Sequence, residues 1–346
     1  MDEEGRVGVE EDKFCLISNL NIFNQLNKML GSYKRYWEPS LTEVVGLSVP
    51  VGAVATFLTQ PLEFVKTRIQ VRTEGIGLRQ LRNELGVNPW RIFREIHETG
   101  GGLSHFYYGF DAALYSRLGY LFIRNFLYKA IYDQVKPVKP FNDLTLREKA
   151  VLSGSVGAFA AFVTSPFELA QVRMIADGGL PQPIRRNYKS AFDAINRIQV
   201  EEGGSRALFR GAFAHVVKLA ALNVSLTGPY DYMKEKIWLV FGDFGFNHFL
   251  ALTWASFWAT LFTLPLDNVQ TRVLKAFPDP SKNRLNYQNY LDVFKQIYFY
   301  ERVYGFYAGA VPYYGKMFLT AWLTCTLVNG VMDSQKRAAG LEEWQI

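Results

Sequence analysis

The stretch TSPFELAQVRMIADGGLP, residues 164–181, puts Pro166 inside a run that otherwise reads as an apolar helix, then follows it with Glu168 and Arg173. In a soluble helix an interior proline costs about 3 kcal/mol or more, because it removes a backbone hydrogen bond and crowds the carbonyl four residues back. The stretch has two relatives in the same chain, TQPLEFVKTRIQ from Thr59 and TLPLDNVQTRVL from Thr263. The prolines are Pro61, Pro166 and Pro265, which sets a period of roughly 100 residues, the signature of an internal repeat.

Each unit continues in the same way. An acidic, mostly glycine-rich stretch leads to an aromatic-x-Gly element: ETGGGLSHFYYGF, EEGGSRALFRGAF and YERVYGFYAGAV. A second apolar segment then runs to YDQVK, YDYMK or MDSQK. The reading divides the chain into an N-terminal extension, 1–40, three repeats at 41–140, 141–240 and 241–338, and a tail, 339–346. The apolar segments lie near 41–70, 106–135, 148–176, 208–238, 247–275 and 306–333. Each is long enough to cross a hydrocarbon core of about 30 Å at about 1.5 Å per residue. The expected fold is therefore an all-α membrane protein, six transmembrane helices in three pseudo-threefold repeats.

Composition agrees with a bundle that is polar inside. Hydrophobic residues make up 49% of the chain, yet mean hydropathy is only −0.02, too low for helices that face lipid all round. A net charge of +6 suits small anions or acidic lipid. Membrane-length apolar segments have no role in a nucleic-acid-binding repeat protein, so nucleic acid is not an expected partner. Cys15 and Cys325 cannot make a disulfide framework or a Cys-rich zinc site, and the four histidines show no ligand spacing. No metal, cofactor or catalytic constellation is expected, and the chain does not read as an enzyme. The acidic start, MDEEGRVGVEEDKF, is unlike a secretory signal or an Arg-rich transit peptide. The segment after it, FCLISNLNIFNQLNKMLGSYKRYW, reads as an amphipathic surface helix or docking arm.

In a membrane helix a proline kink is tolerated, because neighbouring helices and water re-satisfy the freed carbonyl. Kinks at Pro61, Pro166 and Pro265 would pinch a central cavity at one end. Glu63, Glu168 and Asp267 follow the prolines by two residues, and Lys66, Gln171 and Gln270 follow those acids by three. Acid–base pairs between neighbouring helices there would form a latch, weak enough to open. At the other end Asp133 with Lys136, Asp231 with Lys234 and Asp333 with Lys336 would form a second ring. Two gates imply alternating access. Between them Arg117, Tyr120, Arg124, Lys218, Asn223 and Lys316 are the substrate-binding candidates. Exposed N–H groups at the helix starts after Gly109, Arg210–Gly211 and Gly309 would bind phosphate, in a membrane most readily that of a lipid. Basic residues concentrate in the loops between odd and even segments, so those loops should face the inner compartment and both termini the opposite side.

Proline-x-acid-x-x-base, repeated three times over residues 41–336, resembles the mitochondrial carrier family. Repeats two and three are most similar to its oxoglutarate/malate (dicarboxylate) branch, in RMIADGGLPQPIRRNYKSAFDAINRI, YQNYLDVFKQI and GAVPYYGK. The resemblance implies the mitochondrial inner membrane with both termini toward the intermembrane space, antiport of dicarboxylates or oxoacids, and cardiolipin at the aromatic-x-Gly helix starts. Tyr120 and Arg124 match binding-region residues of the branch, and Lys218 and Lys316 stand where it has arginines. Gln171 is usual for the branch. Gln270 replaces a base, which is expected to leave only Lys66 in the first ring and Glu63 and Glu168 without their usual partners, although glutamine can still donate a hydrogen bond. The alternative is a carrier-fold structural subunit of a larger inner-membrane complex, attached through the N-terminal extension, with little or no transport.

Overall fold

The computed structural model describes residues 41–74, 89–99, 102–135, 146–178, 185–241, 247–276, 278–279, 284–285 and 290–338. Six long helices dominate it: α1 (Leu41–Arg72), α3 (Phe110–Val135), α4 (Leu146–Asp177), α7 (Ala212–Phe241), α8 (Asn247–Lys275) and α11 (Ala310–Ala338). Short elements join them. They are α2 (Pro89–Thr99) and a 3₁₀ turn (Leu103–Tyr107) in the first repeat, and α5 (Ala191–Glu201) and α6 (Ser205–Leu208) in the second. The third has α9 (Tyr290–Gln296), a π-helical turn (Ile297–Glu301) and α10 (Arg302–Phe306). A two-residue hairpin, Pro278–Asp279 against Arg284–Leu285, is the strand content of the described residues.

The long helices form a closed ring. Each packs on its neighbours in chain order, and α11 returns to α1. The three helices that carry the motif prolines, α1, α4 and α8, also touch one another. They run through Pro61, Pro166 and Pro265 without ending. Two features accommodate the proline. The threonine two residues before it turns its hydroxyl onto the carbonyl four back: Thr59 to Ala55 at 2.7 Å, Thr164 to Ala160 at 2.9 Å, Thr263 to Ala259 at 2.5 Å. Such back-bonding bends helices. In the third repeat the Leu261 carbonyl, which Pro265 cannot satisfy, accepts the Tyr307 hydroxyl at 3.2 Å.

The second long helix of each repeat begins at 110, 212 or 310 rather than at 106, 208 or 306 as the apolar pattern suggests. Gly109, Gly211 and Gly309 sit just before it with φ of 79°, 89° and 80°, a conformation other residues avoid. Each also lets the chain approach the next repeat: Gly109 lies on Met174, Gly211 on Leu274 and Gly309 on the Lys66 backbone. A Cβ at Gly211 would come 2.4 Å from Leu274 Cδ2. Gly211→Ala is therefore expected to lose about 1–3 kcal/mol through strain and overpacking, read as a lower thermal-unfolding temperature in detergent.

The outer wall is apolar and the interior polar. Phe57, Phe159, Phe257 and Phe262 are about half exposed, while Lys66, Gln70, Asp267 and Arg272 are buried. That distribution suits a lipid surround. Val45–Arg72, Ser205–Leu226 and Phe249–Lys275 are long and apolar enough to cross a membrane. The other three long helices have the length but less apolar character; α3, for instance, carries Arg117, Arg124 and Lys129.

Candidate functional site: a cavity closed by an alternating charge chain

A partly open cavity lies between the helices and is lined from all six; its empty space, counted together with the part open to solvent, is about 760 Å³. Its floor is where α1, α4 and α8 meet, one turn past the prolines. Lys66 Nζ lies 2.9 Å from Glu63 Oε1 and 2.8 Å from Asp267 Oδ2, which ties α1 to α8. Gln70 strengthens the tie, donating to Asp267 Oδ2 at 2.9 Å and accepting the Thr271 hydroxyl at 2.8 Å.

Glu63 and Glu168, expected to lack their usual partners, find cations on other helices. Lys316 on α11 pairs with Glu63, and Lys218 on α7 reaches Glu168 Oε1 at 2.9 Å and Asp267 Oδ1 at 3.3 Å. Lysines from the even helices thus stand in for bases that Gln171 and Gln270 do not supply. Acids and lysines alternate along one chain: Lys316, Glu63, Lys66, Asp267, Lys218, Glu168. With three of each sign, the set is neutral. The Tyr313 ring lies between two of the lysines, 5.5 Å from Lys66 Nζ and 5.9 Å from that of Lys316, and its hydroxyl is 2.9 Å from that of Thr263. Buried charges need such partners on every side, since desolvation otherwise exceeds the Coulomb gain.

Other candidates divide by position. Arg117, Tyr120, Lys218, Lys316 and Gln171 line the cavity. Ser116 also lines it and donates to Glu168 Oε2 at 3.4 Å. Arg124 and Asn223 are not among the lining residues. Arg124 is buried one turn beyond Tyr120, with its guanidinium 5.7 Å from the Tyr120 ring. In the second charge ring, the side chains of Asp133, Asp231, Asp333 and Lys336, and Lys136 altogether, lie outside the described residues; only the side chain of Lys234 is described.

Two sets of residues escaped the sequence reading. Arg173 grips Glu202 at 2.5 and 2.9 Å and also donates to the carbonyls of Leu274 and Ala276. Arg272 grips Glu301 at 2.6 and 2.5 Å. Both arginines follow a motif proline by seven residues and meet an acid 29 residues later, a repeated spacing that could have revealed the pairs. Arg210 joins Glu202 at 3.0 Å, and thus belongs to an ion-pair cluster as well as to the helix start at Gly211. In the first repeat Arg68 instead donates to the Gly178 carbonyl at 2.9 Å. His215 is the other omission. It was set aside with the rest of the histidines, but it lies in the cavity floor beside Glu168.

Comparison with known proteins now decides the family. Residues 38–139, 142–239 and 243–337 each match the mitochondrial carrier protein family. The chain belongs to that family. Relatives include the macronuclear solute carrier homolog CR-MSC of Oxytricha trifallax, 34% identical over 81% of this chain and 76% of that protein. A probable mitochondrial 2-oxoglutarate/malate carrier protein of Dictyostelium discoideum is 32% identical over 77% of this chain and 81% of its own length. The mitochondrial 2-oxoglutarate/malate carrier protein of Homo sapiens is 30% identical over 83% and 88%. Proteins of this carrier family are transporters rather than enzymes, and the triple match accounts for the ring of three repeated helix pairs.

Proposed function

We propose that this carrier exchanges small dicarboxylates or oxoacids across the mitochondrial inner membrane by alternating access. The observation that supports the reading most is the double position of Lys218 and Lys316. Both line the cavity, and both hold the acids that close its floor. A carboxylate entering the cavity competes with Glu168 and Glu63 for the same ammonium groups. Binding then loosens the floor, and a charge-assisted contact of about 1.5–3 kcal/mol is traded for another of similar size, so the barrier stays low. Arg117 and Tyr120 flank the lysines, and Arg124 stands one turn toward the far end, where it backs the Tyr120 ring. Lysines at these two positions hold the carboxylate as point charges, without the bidentate fork of arginine.

In this reading the charge ring ending in Lys136, Lys234 and Lys336 forms the opposite gate, both termini face the intermembrane space, and cardiolipin phosphates sit at the helix starts after Gly109, Gly211 and Gly309. The test is reconstitution of the purified chain in liposomes loaded with oxoglutarate or malate. Exchange of labelled oxoglutarate is expected. A protein inert toward dicarboxylates, keto acids, amino acids and nucleotides alike overturns the proposal.

A further inference from the structure

His215, on α7, is buried and lines the cavity floor. Its Nδ1 lies 3.2 Å from the Gln270 amide nitrogen and 3.9 Å from Glu168 Oε1. An amide NH₂ only donates, so Nδ1 accepts and the ring is held neutral, with its proton on Nε2. The other end of that amide, Gln270 Oε1, is buried without a hydrogen-bond partner among the described residues. Rotating the amide about its last bond presents Oε1 to the ring, the acceptor a protonated Nδ1–H needs. The pair can therefore serve both charge states of the imidazole; the amide nitrogen also donates to Glu168 Oε1 at 3.4 Å, and the charged ring, 3.9 Å from that oxygen, takes over the contact when the amide turns.

We propose that His215 is a proton-binding site of the cavity floor, and that it takes up its proton together with the substrate anion. This rests on the exchange reading and extends it to the species transported.

Glu168 faces the imidazole ring from α4, Asp267 and Gln270 from α8, Arg117 from α3, and Lys218 stands one turn along its own helix. In the substrate-free floor Glu168 is already held by Lys218, and Lys218 disfavours a second cation nearby. When a substrate carboxylate draws Lys218 away, Glu168 loses its cation and the repulsion at His215 falls. A proton on His215 then restores the pair with Glu168. Anion and proton each favour the binding of the other, and that linkage is reciprocal. Charge counting agrees. The alternating chain is neutral, Arg117 adds one positive charge, and protonated His215 adds a second, which together balance a dicarboxylate dianion. The residue at 270 matters to the scheme. A lysine or arginine there would repel the charged ring, whereas glutamine accommodates it. An unperturbed imidazole titrates within the physiological range, so histidine is a side chain suited to this linkage.

The test uses the purified full-length chain, with His215→Asn and His215→Gln as variants that keep a polar group beside Gln270. Each is followed from about pH 8 to about pH 6. One readout is protection by oxoglutarate against thermal unfolding in detergent; the other is oxoglutarate uptake into liposomes. In the parent, both are expected to strengthen by roughly fivefold or more on acidification. In the variants both profiles are expected to be flat. Parent and variant profiles that coincide would overturn the proton site while leaving exchange standing. Histidine-dependent, pH-dependent protection without any uptake would sink exchange and keep the proton site. Absence of both protection and uptake removes both.

Discussion

Lys218→Ala is expected to cut oxoglutarate exchange in liposomes at least about tenfold, since the lost charge-assisted contact is worth about 1.5–3 kcal/mol. The same substitution removes the cation between Glu168 and Asp267, which lie on different helices. Two buried carboxylates would then share a floor with one partner fewer. Unpairing a buried charge costs about 3–5 kcal/mol when it is fully dry, and the 11% exposure of Lys218 places the loss toward the lower end. Thermal unfolding should fall accordingly. Lys218→Arg separates the two roles. It keeps the charge and adds a fork that can grip a carboxylate, so exchange should be retained and apparent affinity should rise. Full exchange by Lys218→Ala would show that the lysine touches neither substrate nor gate.

The second large effect lies outside the cavity. Arg272 and Glu301 are both 2% exposed and meet through two short hydrogen bonds. Glu301→Gln leaves the guanidinium buried beside a neutral amide, an expected loss of about 3–5 kcal/mol. Replacing both partners with leucine removes the unpaired charge along with the pair. That double variant is expected to recover most of the loss, because well-packed apolar groups often replace a buried ion pair at little cost. A double variant as unstable as Glu301→Gln would mean that the pair positions the π-helical turn through geometry that leucine cannot reproduce.

Much of this architecture was legible in the sequence, because it is periodic. Proline, acid and aromatic-x-Gly recur at fixed offsets, and the triple family match follows the same three repeats. Helix starts were legible only to within a turn, since the glycines at positive φ sit inside apolar runs and hydrophobicity does not register φ. Contacts between units were legible only in part: a latch between the segments that carry the motif prolines is expected from the spacing, and Lys66 does reach Asp267. The repeat spacing left Glu63 and Glu168 without their usual partners on the neighbouring helix, yet further cations arrive from α11 and α7, elements that look independent in the sequence. His215 was missed for a related reason. Its chemistry depends on Gln270 and Glu168, which converge on it from two other helices.

The way the ring closes also constrains how the protein is made. Gly309 rests on the backbone of Lys66, and hydrogen bonds from Lys275 to Val71 and from Thr271 to Gln70 span 204 and 201 residues. The first repeat emerges from the ribosome with one flank uncovered, and it stays uncovered until the last helix has been synthesised. Contacts of such separation form late and slowly, because loop-closure entropy opposes them before they give anything back. Until α11 reaches α1, Glu63 is without Lys316 and the ring is open beside it. The nascent chain thus carries one half of an ionic seam on an unfinished edge until its last helix closes the ring.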